Sequence, residues 1–426
     1  MELEKLFETV GKRITPDEKE KKEQDRIADA VIGFIQKNVK AKVVLVGSSA
    51  RDTGLKGDRD LDLFVIFSKS EELKDIVEKT RKALPGGGWT MHYAEHPYFK
   101  NKVNDFEVEV IPCFEITKGE RVKSAVDRTP LHMKYLQEKL TEKQRRDVRV
   151  MKKLLKTAGV YGAESEVGGF SGLVCEQLIL NYRNLEGLLK NAREWKTPVV
   201  IDIEGHYQKE EAVRKFEGPF ILVDAIDFNR NAGASVSETS LYKMITLANA
   251  FLEKPSLEFF EAKKSKAKPK TYLKTITVKF KKPDVVEDIL HPQLKKTERF
   301  MKGQLERDFE VLDSDSFYDS ENAFIAFIVG GVETPPFRKI TGPPADKWSE
   351  VKKFLARHKP FRKYVEGNKI ILFEDRKIEK ASSIIKNCLK SSGVGSFLRK
   401  NISKAEVTEK KTREIEEFLS KNDFWL

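Results

Sequence analysis

Helical and strand-like spacings of hydrophobic residues alternate along the first third of the chain. Apolar side chains recur three and four positions apart between Ile27 and Ile35, and this period predicts a helix over residues 16–38. Thr15-Pro16-Asp17-Glu18 combines a capping box with a proline at the first helical position, which is typical of a helix start. Another helix is predicted over 70–84, so helices are expected on both sides of the strands that lie between them.

Short, continuous apolar runs predict three buried strands in the same region. These strands lie at 43–46, 61–67 and 106–111. Pro112 follows the third run and has no amide hydrogen for a strand ladder, so we expect it to end that strand. Strands that alternate with helices indicate an α/β arrangement, and residues 1–140 are therefore predicted to form one small α/β domain.

The remainder of the chain is predicted to contain a helical part and a mixed part. Residues 141–256 are expected to be mostly helical, with helices over 141–156, 168–182 and 242–252. Thr141-Glu142-Lys143-Gln144 is a capping box for the first of these helices, and Ser171 is the expected cap of the second. A Lys/Ala/Pro run over 261–270 indicates a linker or domain edge. Strand-like stretches (275–280, 323–329 and 369–373) and a helix over 347–357 then predict an α+β domain over 257–426.

The composition excludes several classes of protein. Of the 426 residues, 39% are hydrophobic and 10% aromatic, which is enough to build packed cores and excludes wholesale disorder. Three scattered cysteines exclude a disulfide framework and a CxxC zinc site. There is no signal-peptide pattern at the start, and the longest apolar run, Ala323–Val332, is about half of a membrane span. We therefore expect a reduced, soluble, cytoplasmic protein without a membrane partner.

The net charge of +12 is concentrated in the back of the chain. Residues 1–256 hold 43 basic and 41 acidic side chains, a net of +2, whereas residues 257–426 hold 36 and 26, a net of +10. A basic domain joined to a nearly neutral one is typical of a protein that binds a polyanion such as nucleic acid, although a well-solvated surface has the same composition.

The candidate chemistry lies where the first predicted strand meets the second. Asp60 and Asp62 are two positions apart on a strand, so their side chains share one face. Two carboxylates at about 4 Å repel by roughly 4 kcal/mol at an effective dielectric near 20, so either one is protonated or a divalent cation neutralises both. The preceding Gly47-Ser48 turn lets backbone amides approach a phosphate, and Arg51 supplies a fork of donors for phosphoryl oxygens. The alternative is a turn beside a solvated acidic edge.

A third acid for this site is predicted on the third strand. Two-metal phosphoryl-transfer sites usually contain a further carboxylate. The run from Phe106 to Pro112 places Glu107 and Glu109 on one face and valines on the other. Glu109 is nearer to the end at the proline and is the candidate, while a pair of solvated glutamates on an edge strand is the alternative.

These motifs together resemble the nucleotidyltransferase superfamily that includes poly(A) polymerase and polymerase beta. Further segments are similar to the archaeal, class I CCA-adding enzymes, which are tRNA nucleotidyltransferases: Tyr93-Ala94-Glu95-His96-Pro97-Tyr98, Ala125-Val126-Asp127-Arg128-Thr129-Pro130-Leu131-His132, Tyr161-Gly162-Ala163-Glu164 and Gly169-Phe170-Ser171-Gly172. The resemblance is dense from about residue 43 to 235 and fits the whole chain in length and order.

The resemblance implies a fold, an activity and a set of partners. The fold would be an α+β multidomain chain with a polymerase-beta-like catalytic domain, a helical central domain and a basic tRNA-binding region. The activity would be template-independent addition of C, C and A from CTP and ATP to the 3′ end of tRNA, with the acceptor arm as partner and a homodimer as the assembly. Asp60 and Asp62 would hold two Mg²⁺ ions, and Glu109 would share one of them and help to deprotonate the terminal 3′-hydroxyl.

The resemblance also implies nucleotide-binding residues. Ser48 and Arg51 would bind the triphosphate. Positions that contact phosphates and sugar in the family are matched by His132, Lys152 and Tyr161. Arg230 matches the arginine that recognises the base. Two features depart from the pattern, since Glu109 stands where aspartate is expected, and Ser48-Ser49 leaves open which hydroxyl meets phosphate.

Lys152 also belongs to a basic stripe on the helix over 141–156. Arg145, Arg149, Lys152 and Lys156 are spaced to share one helix face. The stripe is expected to face either a polyanion or solvent.

Two other functions use the same residues. A poly(A)-polymerase-like or oligoadenylate-type transferase would share the acidic triad, use ATP alone and accept RNA without tRNA shape. A non-catalytic relative would bind RNA independently of magnesium and show no turnover.

Overall fold

The computed structural model describes residues 3–93, 96–118, 120, 122–261 and 272–426. Ala94 and Glu95 of the Tyr93–Tyr98 segment, and the predicted linker beyond Glu261, lie outside the described residues. The chain forms two compact units, one made of Met1–Lys263 with Asp423–Leu426 and the other of Lys264–Asn422. Helices and sheets occur in both units, as the sequence predicts.

The first unit combines a five-stranded sheet with a largely helical part. Its α-helices are α1 Leu3–Ile14, α2 Glu18–Asn38, α3 Gly47–Ala50, α4 Leu73–Ala83, α5 Thr129–Lys139, α6 Glu142–Thr157, α7 Gly172–Tyr182, α8 Leu185–Ala192, α9 Lys209–Lys215 and α10 Glu238–Glu253. Its strands are β1 Lys42–Val46, β2 Asp60–Phe67, β3 Thr90–Tyr93, β4 Pro97–Val103, β5 Phe106–Phe114, β6 Val199–Asp202 and β7 Phe220–Val223. Short 3₁₀ turns lie at Ala125–Arg128 and Leu257–Phe260.

A five-stranded sheet in the order β1-β2-β5-β4-β3 positions the candidate site. β2 and β5 run parallel, and the other neighbours pair antiparallel. Leu61 and Leu63 point to the face whose apolar cluster includes residues of α2 and α4. Phe64 and Ile111 point to the opposite face, where Met133 of α5 packs on them. Both faces of the centre of the sheet are therefore covered, and its strands are fixed in register.

The predicted end of the third strand is wrong, because β5 continues through Pro112 to Phe114. Its ladder with β4 ends at the pair Phe99 and Val110, before the proline. The carbonyl of Pro112 lies 2.6 Å from Nε2 of His96, on the side that β4 has left. Among the described strands, β2 alone still pairs with β5 here, with Val65 opposite Pro112, so the proline lies at an edge of the sheet and does not interrupt the strand.

The start of the first predicted helix is also different from the expectation. The chain forms α1 before this point, and α2 begins only at Glu18. Asp17 is its cap, because the Asp17 carboxylate accepts from the amide of Glu20 at 3.0 Å. The hydroxyl of Thr15 donates instead to the carbonyl of Gly11 in α1.

The central part of the first unit confirms the predicted caps and adds a small sheet. Thr141 and Gln144 form the capping box of α6, and the Ser171 hydroxyl accepts from the amide of Val174 at the start of α7. The helices pack around a core that includes Phe170. The prediction of a mostly helical segment missed the parallel pair β6 and β7. β7 is buried along its whole length, so it shows no alternation of apolar and polar residues.

The second unit contains two antiparallel sheets. Its helices are α11 Glu287–Leu305, α12 Trp348–Arg357, α13 Ala381–Cys388, α14 Arg399–Ile402 and α15 Glu416–Leu419, with a 3₁₀ turn at Arg413–Ile415. Its strands are β8 Lys274–Lys281, β9 Val311–Tyr318, β10 Asn322–Val329, β11 Phe337–Pro344, β12 Arg362–Glu366, β13 Lys369–Asp375 and β14 Glu406–Thr408. The strand orders are β14-β8-β10-β9 and β11-β13-β12. The three strands predicted here correspond to β8, β10 and β13. Within the described ranges, every helix is too short or too polar to traverse a lipid bilayer.

Candidate active site

The three predicted acids lie on one face of the sheet, at the beginnings of two neighbouring strands. Asp62 of β2 is directly opposite Glu109 of the parallel strand β5, and Asp60 is opposite Glu107. Along each strand the alternate side chains, such as Leu61, are buried on the other face. The pairing therefore brings together carboxylates that are almost 50 positions apart in the sequence.

Electrostatic repulsion acts within this group of acids. Burial, together with the nearby charges of Glu109 and Asp60, raises the pKa of Asp62 to about 6, while Arg51 opposes the shift. The pKa of Asp60 is also raised, first by burial and then by Asp58 and Glu107. Raised pKa values of this kind show that the ionised carboxylates are unfavourable in the protein alone, and a bound cation would stabilise them.

The donor set fits a hard divalent cation. All of the predicted donors are carboxylate oxygens, the ligands that Mg²⁺ prefers. Among the residues that the structure describes, no group of three or more His, Cys, Asp or Glu side chains is close enough to hold a metal by itself. Mg²⁺ usually takes one or two carboxylates together with waters and substrate phosphates, so a closed protein cage is not required. Lys100 lies on the same face, with Nζ 3.4 Å from Oε1 of Glu109 and 2.8 Å from Oε2 of Glu107.

The turn before the acids depends on a glycine. Gly47 has a φ of +74°, in the left-handed region that glycine tolerates. A Cβ at this position would also overlap the carboxylate of Asp62. Gly47 therefore allows the turn to approach Asp62 closely.

The two serines of this turn have different surroundings. The Ser49 hydroxyl donates to the carbonyl of Asp60 at 3.0 Å and accepts from the side chain of Gln24. Within the described part of the chain, no hydrogen bond of the Ser48 hydroxyl is found. Ser49 has a structural role, and Ser48 is the hydroxyl available to a ligand.

Arg51 is bound inside the protein by an acid that sequence reasoning missed. Nε of Arg51 donates to Oε1 of Glu176 at 3.0 Å, and its Nη2 lies 2.9 Å from Oε2. Glu176 is fully buried on α7, and the Thr53 hydroxyl also donates to it. Its signal in the sequence is one charged residue within the otherwise uncharged run Gly172–Tyr182.

Three members of the basic stripe of α6 contact the loop between β1 and β2. Arg149 donates to the carbonyl of Asp52, Lys152 Nζ donates to the carbonyl of Thr53 at 2.9 Å, and Lys156 pairs with Asp58 at 3.0 Å. Arg149 and Lys152 are buried. The expectation of a stripe that faces solvent is wrong for Arg149 and Lys152, because both are buried and hold the loop between β1 and β2 in place.

Tyr161 lies beside Lys152. A Cβ added to Gly172 would stand 3.3 Å from the Tyr161 hydroxyl and 3.6 Å from Lys152 Nζ, so both polar atoms converge on the start of α7. The Lys156 ammonium lies 5.4 Å from the centroid of the Tyr161 ring. Burial raises the pKa of Tyr161, so its hydroxyl remains protonated and can donate.

His132 and Arg230 meet at a second buried acid that was not predicted. Nε2 of His132 is 2.6 Å from Oδ1 of Asp224, and Nη1 of Arg230 donates to Oδ2 at 2.7 Å. Asp224 has no exposed surface. Although burial acts to raise it, the pKa of Asp224 is lowered by its hydrogen bond with His132 and by Arg230. Gln137 of α5 donates to the carbonyl of Ala50, which ties this group to the Gly47-Ser48 turn.

Three family models match successive parts of the chain. A nucleotidyltransferase domain matches residues 28–132, and the second domain of tRNA nucleotidyltransferases matches residues 146–261. The C-terminal domain of CCA-adding enzymes matches residues 273–410.

Three relatives that match most of the chain are CCA-adding enzymes. A CCA-adding enzyme of Archaeoglobus fulgidus is 36% identical over 88% of this chain and 87% of its own. The CCA-adding enzyme of Methanocaldococcus jannaschii is 32% identical over 90% of both chains. That of Pyrobaculum islandicum is 33% identical over 96% of this chain and 98% of its own.

The solved structures give the fold. Two structures of Cid1, one described as a poly(U) polymerase bound to Mg 3′-dATP and the other as an RNA terminal uridylyl transferase, have TM-scores of 0.50 and 0.51. They cover 62% and 61% of this chain, and 99% and 98% of their own, at 17% identity. At this identity the likeness supports the predicted polymerase-beta-like fold and nothing more specific.

Proposed function

The chain belongs to the family of archaeal CCA-adding enzymes, and from that premise we propose how its residues carry out the reaction. The enzyme adds C, C and A from CTP and ATP to the 3′ end of tRNA without a template. The 3′-oxygen of tRNA attacks the α-phosphorus, the bond to the β-phosphate breaks, and pyrophosphate leaves. The observation that best supports this reaction centre is the direct pairing of Asp62 with Glu109 beside the turn at Gly47.

The acids are proposed to form the metal site. Nucleotidyl transfer in this superfamily depends on divalent metal ions, and we assign two Mg²⁺ ions to Asp60, Asp62 and Glu109. Such ions lower the pKa of the attacking hydroxyl and neutralise charge on the phosphates. Glu109 would also help to deprotonate the 3′-hydroxyl. Raised pKa values at Asp60 and Asp62 support this assignment, because a cation relieves the repulsion between them.

The buried cations are proposed to receive the triphosphate. Ser48 has a hydroxyl available, and Arg51 uses only Nε and Nη2 for Glu176, so its other N–H groups can donate to phosphate. Lys152 and Tyr161 add an ammonium and a hydroxyl that converge near α7. These residues would bind the triphosphate of either nucleotide through charge-assisted hydrogen bonds.

His132 and Arg230 are proposed to hold the sugar and the base. Both are attached to Asp224, which fixes their relative position. Arg230 keeps 37% of its side chain exposed and can therefore reach a base edge. His132 is buried, so it would contact only a part of the nucleotide that comes close to it.

The wider organisation follows the resemblance. We propose a catalytic domain over 1–140, a central nucleotide-binding domain over 141–256 and a tRNA-binding region over 257–426. The net +10 of the last region suits contacts with phosphates of the acceptor arm. A cytoplasmic location and a homodimer are further predictions, the second of which light scattering coupled to size-exclusion chromatography would check.

The activity is tested by sequencing the product. The protein is incubated with tRNA that lacks its CCA end, together with CTP, ATP and magnesium, and the 3′ ends are then sequenced. We expect ends in CCA, and loss of incorporation by about 10³-fold or more in Asp62→Ala. Glu107→Gln, an exposed acid on the same face, is the matched control and should retain activity. Tails of A alone would support a poly(A)-polymerase-like enzyme, and unaffected incorporation in Asp62→Ala would contradict the assigned site.

A further inference from the structure

One buried charged group contributes to the site without belonging to the predicted set. Glu176 has no exposed surface and accepts hydrogen bonds from Arg51 and from the Thr53 hydroxyl. Both oxygens face the Arg51 guanidinium, at 3.0 Å from Nε and 2.9 Å from Nη2. One hydrogen bond, from Nε to Oε1, and one ion-pair contact, between Nη2 and Oε2, together restrict both the position and the orientation of the guanidinium. Glu176 therefore determines the direction in which the remaining N–H groups of Arg51 point.

The same carboxylate also faces a second buried cation. Lys152 is 2% exposed, and its Nζ lies 4.0 Å from Oε1 of Glu176. The ammonium donates to the carbonyl and the hydroxyl of Thr53, at 2.9 and 3.3 Å. Arg51 and Lys152 carry like charges in a poorly hydrated place, and Glu176 offsets one of them. The cluster keeps a formal charge of +1, which suits an anionic ligand.

We propose that Glu176 is a positioning residue for nucleotidyl transfer, which holds Arg51 and Lys152 as a preformed pair of triphosphate donors. The inference deepens the proposed function and rests on it. The triphosphate is common to CTP and ATP, so Glu176 acts equally on both nucleotides and takes no part in choosing between C and A. It touches no reacting atom and acts only through the two cations.

The charge states support this arrangement. Burial acts to raise the pKa of Glu176, but Arg51 and Lys152 lower it, so the carboxylate is ionised. Burial lowers the pKa of Lys152, and Glu176 opposes that shift. The charged and titratable groups that face Lys152 are Glu176, Arg51, Asp58, Cys175 and Tyr161. Loss of the Glu176 charge would leave two unneutralised cations in the cluster.

The placement of Glu176 connects the two parts of the first unit. Arg51 and Thr53 belong to the loop between β1 and β2, within the match to the nucleotidyltransferase domain. Glu176 and Lys152 belong to α7 and α6, within the match to the second domain. The buried carboxylate thus joins side chains from both parts around one ligand position.

The test is the variant Glu176→Gln, which keeps the size of the side chain and removes its charge. We expect the KM for CTP and the KM for ATP each to rise roughly 10- to 100-fold, the range for loss of a hydrogen bond to a charged group. The kcat and the ratio of the two KM values should change by less than about threefold. Equilibrium dialysis with CTP should show the same loss of affinity without turnover.

Two further variants make the result specific. Asp147→Asn removes another buried acid of the first unit, which pairs with Arg146 at 2.7 Å, and should lower stability while leaving both KM values unchanged. In Arg51→Gln/Glu176→Gln both partners of the buried pair are removed, which is tolerated better than removing one. The double variant should raise the KM values by less than the product of the two single effects, because both substitutions remove the contribution of Arg51. It also provides a folded protein if Glu176→Gln does not fold.

The outcomes separate this inference from the proposed function. Unchanged KM values in folded Glu176→Gln, a rise for one nucleotide only, or effects of Arg51→Gln and Glu176→Gln that multiply in the double variant would overturn the inference. Activity that survives in Asp62→Ala would instead overturn the proposed metal site, whatever Glu176→Gln does.

Discussion

At the scale of single residues, the site is defined by acids that repel one another. Asp62 is half-buried, and burial together with Glu109 and Asp60 makes its ionised form unfavourable. Such an arrangement lowers stability in the metal-free protein and is relieved when a cation binds. Function and stability are therefore opposed at this residue.

The first prediction concerns Asp62→Asn in the presence of EDTA. The folded pKa of Asp62, about 6, is above its ordinary value of 3.8, so the folded protein binds the proton more tightly than the unfolded chain does. Stability must fall as pH rises from about 4 to 6, and above this range the ionised form opposes folding. The variant should raise the free energy of unfolding at pH 8 by about 1–3 kcal/mol and leave it unchanged below pH 4.

Urea unfolding at several pH values measures this difference, with Glu107→Gln as the control on the same face. Equal stabilities of Asp62→Asn and the wild type at pH 8 would show that Asp62 is not held in an unfavourable charged state.

The second prediction compares two glycines with left-handed backbone conformations. Gly47 and Gly57 have φ values of +74° and +84°, but only at Gly47 would a Cβ meet the Asp62 carboxylate. Each substitution by alanine carries a backbone penalty of roughly 1 kcal/mol. Gly47→Ala should in addition displace Asp62 and reduce kcat at least 100-fold, whereas Gly57→Ala should keep most of the activity. Similar kcat values for the two variants would contradict the close approach.

A site residue could be predicted from the sequence when its partners lie close to it along the chain. Asp60 and Asp62 are two positions apart on one strand, so a local pattern was enough to find them. Glu176 and Asp224 were missed because their partners, Arg51 and His132, are 125 and 92 positions away. No local sequence pattern predicts a contact between residues that are so far apart along the chain. The same distance explains why Arg51 was expected to be free for phosphate alone.

At the scale of elements, local signals located helix starts better than strand ends. The capping box at Thr141 located the start of α6, because a cap involves neighbours only, whereas the one predicted at Thr15 did not cap α2. Pro112 was misjudged because strand continuation depends on whether the neighbouring strand is still present. β6 and β7 are only four residues long, and β7 is buried throughout, so both were absorbed into the helical prediction.

The third prediction concerns the cap of α6, the helix that carries Lys152. Thr141→Ala removes the hydroxyl that accepts from the amide of Gln144 and should lower the free energy of unfolding by about 1 kcal/mol. Thr157→Ala is the control on the same helix, since that hydroxyl only donates to the carbonyl of Lys153. Alanine favours helix, so Thr157→Ala should be neutral or slightly stabilising. Chemical denaturation compares the two, and an equal loss in both would refute the cap.

At the scale of the whole molecule, the end of the chain returns to the first unit. Trp425 donates from Nε1 to the Thr246 hydroxyl at 3.1 Å, and Asp423 pairs with Lys243 at 2.9 Å. Phe424 packs edge-on against Phe259, with ring centroids 5.7 Å apart. The sequence shows only a short aromatic end, so this closure could not be predicted. The concentration of positive charge after residue 256, by contrast, is visible in the sequence alone.

The fourth prediction tests this closure. Trp425→Ala removes a partly buried aromatic ring from the core of the first unit, and we expect a loss of about 1–2 kcal/mol in the unfolding of that unit. Leu426→Ala is the matched control because Leu426 is 85% exposed, and it should leave stability unchanged. Thermal unfolding, followed by far-ultraviolet circular dichroism, measures the stability of both variants. If Trp425→Ala unfolds like the wild type, the end of the chain does not stabilise the unit.

Asp60, Asp62 and Glu109 are proposed to form one site for divalent cations, and the rest of the mechanism depends on that site. The most direct test titrates Mn²⁺ into the protein in the presence of CTP and measures free Mn²⁺ by electron paramagnetic resonance. We expect two bound ions per chain in the wild type and in Glu107→Gln, and affinity weakened at least tenfold in Asp62→Asn. Unaltered Mn²⁺ binding in Asp62→Asn would contradict it.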